Sequence, residues 1–108
     1  MYIYKKEDLE IFIKNTTKKA LEIKNFDQAM KYALKTTTDY YTDTQMSFAE
    51  KRGKRISFIS GYGKESFKPV EINTLVDKYV LLLQNIDNVN KDEKEKVVNM
   101  FKLIVQNR

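Results

Sequence analysis

The chain has no cysteine, no histidine and no tryptophan, and only one proline and three glycines in 108 residues. Without cysteine there are no disulfides and no thiolate metal sites, which fits a reducing, cytoplasmic setting. Without histidine most zinc sites disappear, along with every His-based acid–base pair and every Ser-His or Cys-His nucleophile. The longest apolar run, Tyr79 to Leu83, is far too short to span a bilayer. The opening MYIYKKEDLE carries neither the apolar stretch nor the small-residue cleavage site of a signal peptide. The sequence therefore predicts a non-enzymatic protein without membrane association, metal or cofactor.

What is present is ordinary for one globular domain: 42% hydrophobic and 32% charged residues, enough to build a core without staples. The distribution of charge is not ordinary. Residues 1–50 carry eight basic and eight acidic side chains, and residues 69–108 carry six of each. Lys51, Arg52, Lys54, Arg55, Lys64 and Lys68 stand against Glu65 alone, so the whole net charge of +5 lies within residues 51–68. A local basic excess is the electrostatic footprint of a polyanionic partner. The two arginines strengthen that expectation, because a guanidinium fork matches phosphate geometry.

Helical spacing of Leu9, Phe12, Ile13, Thr16, Ala20 and Ile23 predicts a first helix over about 5–24. Asn25 reads as the N-cap of a second helix beginning at Phe26, with Gln28 completing a capping box. Thr36-Thr37-Thr38-Asp39 interrupts good helix formers. Whether residues 26–51 form one helix or two is left open, since Tyr40, Tyr41, Thr44 and Phe48 keep the helical phase.

The glycines and the proline cluster between residues 53 and 69, so Lys54–Lys68 reads as a hairpin looping at Gly61-Tyr62-Gly63, with Ser66 to Val70 as its return strand. Tyr2-Ile3-Tyr4 offers a short third strand. Ile72, Leu75, Val76, Tyr79, Leu82, Leu83 and Ile86 predict a further helix, which Val80 and Leu81 widen so that it is either buried on more than one side or paired with another subunit. Asn90, with Glu93 three residues on, caps a last helix carrying Val97, Val98, Phe101, Ile104 and Val105.

The predicted fold class is thus α+β and mostly helical. It comprises three N-terminal helices, a basic β-hairpin, and a C-terminal antiparallel helix pair over 71–108, all in a single domain.

Two resemblances follow from these readings. Gly61-Tyr62-Gly63 with Phe67 resembles part of the RNP1 signature of RNA-recognition motifs. Ser60 stands where that signature needs a basic residue, Lys64 and Glu65 replace an aromatic and a valine, and the flanks read as helical where a four-stranded sheet is required. The element order over 5–70 resembles a winged helix-turn-helix protein. That resemblance implies a recognition helix at about Asp39 to Lys51 and a wing at about Lys54 to Lys68. The implied recognition helix carries Asp39, Asp43 and Glu50 and nothing basic before Lys51, which shifts the expected contact to the wing.

The expected nucleic-acid-binding residues are Lys51, Arg52, Lys54, Arg55, Tyr62, Lys64 and Lys68, contacting the backbone or minor groove of double-stranded DNA. Sequence choice would fall to Arg52, Arg55, Gln45 or an inserted Tyr62. The setting this implies is a regulator or accessory protein of a plasmid, phage or conjugative transfer system. An acidic protein surface is the alternative partner, as for a phage-encoded inhibitor or an immunity protein. Self-association as a homodimer is the third expectation.

Overall fold

A computed structural model describes residues 8–87 and 89–107. Two helices, α1 (Leu9–Glu22) and α2 (Phe26–Tyr40), precede four strands, β1 (Gln45–Arg52), β2 (Arg55–Gly63), β3 (Glu71–Thr74) and β4 (Tyr79–Gln84); α3 (Lys91–Gln106) closes the order. The strands form one antiparallel sheet in the order β2-β1-β4-β3.

The helix starts are set by side-chain caps that satisfy otherwise orphaned N–H groups. Asp8 Oδ1 accepts from the backbone N–H of Glu10 at 3.0 Å, Asn25 Oδ1 from Gln28 at 2.9 Å, and Asn90 Oδ1 from Glu93 at 2.9 Å. The threonine run does not break α2. The hydroxyls of Thr37 and Thr38 donate back to the carbonyls of Ala33 and Leu34, at 2.7 and 3.0 Å, so their hydrogen-bonding capacity is absorbed within the helix.

Cross-strand partners share a face of the sheet. Met46 and Phe48 of β1 pair with Leu83 and Leu81 of β4, and all four are buried in one core with Leu34, Val97, Phe101 and Ile104 from the helices. Phe26 at the start of α2 meets Phe48 edge-on at 5.8 Å, and Phe48 stacks on Tyr79 at 5.1 Å. Phe12 stacks on Tyr40 at 4.2 Å and fixes α1 on α2. The helices cover this face. On the other face the register gathers Ser47, Ala49 and Lys51 with Ile56, Phe58, Gly61, Ile72, Thr74, Val80 and Leu82. On this second face the central-strand residues Ala49, Val80 and Ser47 are buried, whereas Phe58, Ile72 and Ile56, on the outer strands, are 66%, 55% and 41% exposed.

The fold corrects the predicted one in three places. The third N-terminal helix is strand β1, and Tyr40 ends α2. The hairpin partner of β2 is β1, not residues 66–70, and its turn is at Gly53-Lys54, not at Gly61–Gly63. The first half of the C-terminal helix pair is the β3–β4 hairpin, so only α3 is helical there. Val80 and Leu81, expected to be buried on more than one side or paired with another subunit, are buried inside the sheet. The element order behind the winged-helix resemblance is therefore absent. The four-stranded sheet missing from the RNP1 comparison exists, but two helices precede it and its four strands follow one another without an intervening helix. The suggested strand at Tyr2–Tyr4 lies outside the described residues.

Candidate nucleic-acid interface at the hairpin

The β1–β2 hairpin turns through Gly53 and Lys54, with Arg52 and Arg55 as its last cross-strand pair. Gly53 has φ of +61° and Lys54 is not left-handed, the pattern of a type II′ turn, whose first central position favours glycine. This two-residue loop matches the right-handed strand twist and concentrates Lys51, Arg52, Lys54 and Arg55 at one end of the molecule. All four are exposed, as is every β2 residue from Arg55 to Ile59.

The base of the hairpin is anchored electrostatically. Glu50 receives Lys78 Nζ at 2.9 Å and Arg52 Nη2 at 3.2 Å. The hydrogen bonds from Lys78 and then Arg52 hold the Glu50 carboxyl below its ordinary range, and the same contact to Glu50 raises the Lys78 ammonium. The backbone N–H of Lys51 also donates to the Lys78 carbonyl at 2.6 Å. Lys78 thus joins the basic end of the molecule, although it is far from it in sequence. Its turn, Leu75–Lys78, contains no glycine and bends through a left-handed Asp77 at φ +56°, so sequence reasoning passed over both the turn and the lysine. Among the described residues, Lys51, Lys54 and Arg55 make no ion pair.

The remaining expected residues sit elsewhere. Tyr62, Lys64 and Lys68 lie at or beyond the opposite end of β2, about eight residues, or roughly 26 Å of strand, from the turn. Tyr62 pairs with Met46 and packs against the core, not at a loop tip. Lys68 lies 3.8 Å from Asp87. The connection from β2 to β3 is held at the far end of β4 by Gln84, whose Nε2 donates to the carbonyls of Ser66 and Lys68 at 3.2 and 2.9 Å. The charge block of residues 51–68 is therefore two clusters, and the four residues of the turn form the denser one.

No grouping of His, Cys, Asp and Glu suited to a metal ion occurs among the described residues, and none of their helices is long and apolar enough to cross a membrane. A groove between α1 and α3, lined by Ile13, Thr17, Met100 and Leu103, has a volume of about 540 Å³. Glu10, Lys14, Lys18, Lys96 and Asn99 also line it, and the Glu10 carboxylate pairs there with the Lys96 ammonium at 3.2 Å. No protein-family model, curated protein or solved structure matches the chain.

Proposed function

We propose that this protein is a DNA-binding accessory or regulatory module that grips the sugar–phosphate backbone with the end of its β1–β2 hairpin. The observation that carries this reading is the projection of Lys51, Arg52, Lys54 and Arg55 from one tight turn, exposed and with a single nearby hairpin carboxylate, Glu50. A two-stranded ribbon has the width of a DNA groove, and phosphate contacts from such a ribbon give affinity and orientation without sequence choice. Tyr62, half-buried against the core, does not act as an inserting side chain in this reading. Lys78, engaged by Glu50, flanks this four-residue contact set.

Titration of labelled random-sequence DNA at about 50 mM salt tests the reading. Four phosphate contacts give log K against log salt a slope of about −3.6 on duplex DNA. Lys54→Ala/Arg55→Ala should lower the magnitude of that slope to about 1.8. Both side chains are exposed and outside the core, so the variant folds normally. Affinity that is unchanged in this variant, or absent in the wild type, overturns the proposal.

A further inference from the structure

We infer that the exposed β2 part of the sheet's second face, around Phe58, is a platform for unpaired bases, so that the preferred ligand of the hairpin is single-stranded nucleic acid. This inference rests on the hairpin reading and adds the form of the nucleic acid to it.

The first observation is the seat of Phe58. A Cβ placed on Gly61 would lie 3.0 and 3.2 Å from two atoms of the Phe58 ring, and 2.7 Å from Ser47 Oγ. The ring therefore lies over the bare backbone of Gly61, in space that any other residue would fill. A β-bulge between Phe48 and Ala49 of the β1–β2 pairing brings this about: Ala49 opposes Phe58, Phe48 opposes Ser60, and Ile59 is the extra residue. Bulges commonly re-aim a side chain in this way. The result is an aromatic ring supported from below and 66% exposed. Such rings stack on bases of any identity.

The second observation is charge. The two strand carboxylates, Glu50 and Glu71, both lie on the helix-covered side, and each is paired, with Lys78 and Arg52 or with Lys94. The second face carries Lys51 and no strand carboxylate. It runs from the basic turn at one end to the loop of Lys64, Glu65 and Lys68 at the other, where Lys68 lies 3.8 Å from Asp87 and Phe67 is 98% exposed. An exposed aromatic beside a cationic turn, on a face without strand carboxylates, complements a strand whose phosphates lie at the turn while its bases lie inward. A duplex keeps its bases stacked on one another and cannot use the ring. An acidic protein would use the charge but would not require a flat, supported aromatic.

The test compares an oligothymidylate of about a dozen nucleotides, an abasic oligomer of equal length and the matching duplex, by fluorescence anisotropy at low salt. Phe58→Ala should weaken oligothymidylate binding roughly ten-fold or more and leave the abasic oligomer and the duplex unaffected. Phe58→Trp should retain binding. As the chain has no tryptophan of its own, its fluorescence should be quenched by oligothymidylate and not by the abasic strand. Equal binding of the abasic and base-bearing strands, or an unaffected Phe58→Ala variant, overturns the platform. If Lys54→Ala/Arg55→Ala then still loses affinity, the hairpin reading survives that failure. If no oligonucleotide binds at all, both fall. Polyglutamate displacing oligothymidylate at equal charge concentration would mark the face as a site for acidic protein and overturn the inference.

Discussion

The Glu50 carboxylate and the Lys78 ammonium, 2.9 Å apart, tie the base of the basic hairpin to the β3–β4 turn. Glu50 also holds Arg52, so one carboxylate restrains two cations at the edge of the proposed interface. Glu50→Gln removes that negative charge and releases both. The expected outcome is tighter binding to DNA at low salt, by severalfold, with a steeper salt dependence. Parallel salt titrations of the two proteins check it. Since Glu50 is only 14% exposed and both partners hold its carboxyl charged, the melting temperature should fall modestly at neutral pH.

The same pairings set a response to acid. Lys78 and Arg52 hold Glu50 below its ordinary value, and Lys94, with Asn73, does so for Glu71. A carboxyl group whose folded value is depressed contributes stability above its unfolded value, near 4.5. That contribution is lost as pH falls through the lower folded value. Melting temperature should therefore be flat at neutral pH and decline below about pH 5, and Glu71→Gln should make the decline shallower. Binding should be insensitive to pH between about 6 and 8, because there is no histidine and lysine and arginine stay charged there. A binding transition within that window would show that a different group controls the contact.

The elements legible in the sequence were those with one wet face. α1, α2 and α3 each bury a single stripe, and the caps at Asn25 and Asn90 form where their side chains announced them. β1 and β4 were misread because they are central strands. Met46, Ser47, Phe48 and Ala49 are all buried, and so are Val80, Leu81 and Leu83. A strand buried on both faces has no period-two signature, and a short continuous apolar run is equally consistent with helix. The widening of the apolar stripe by Val80 and Leu81 was a real signal of two-sided burial, attached to the wrong element. The turn into β4 and the exit from it were concealed because Asp77 and Asn85 adopt left-handed backbone where glycine would have been conspicuous. At the interface, the charge block located the basic turn but merged it with Lys64 and Lys68, because spacing along the chain cannot reveal that a nine-residue strand separates them. Nothing in the spacing along the chain marks Phe58 as a supported ring. The bulge and the glycine that turn it into a supported ring are tertiary features.

A stability prediction distinguishes the three glycines. Gly63 has φ of +107°, and a Cβ there would collide with the Thr44 carbonyl and lie 3.0 Å from Gln45 Cα. Both contacts are backbone, in the pairing that starts β1 and ends β2, and neither yields easily. Gly63→Ala should cost about 3 kcal/mol. Gly53 shares a left-handed φ, but a Cβ there meets nothing within 4 Å, so Gly53→Ala should cost only the conformational strain, about 1 kcal/mol. Urea unfolding of the two variants should rank them in that order.

Gly61→Ala separates packing from function most sharply. Unlike Gly63, Gly61 does not have a positive φ, so alanine is conformationally acceptable and the backbone pairing with Ser47 should persist. The added methyl group meets the Ser47 hydroxyl and the Phe58 ring, both of which can rotate away. The ring is the more exposed of the two and should be displaced from its seat. The expected result is a melting temperature close to that of the wild type, combined with a loss of oligothymidylate affinity approaching that of Phe58→Ala. Duplex binding through Lys54 and Arg55 should be unchanged. A Gly61→Ala protein that binds oligothymidylate as tightly as the wild type would show that the seated position of the ring is irrelevant to binding, leaving the phosphate contacts of the turn as the source of affinity.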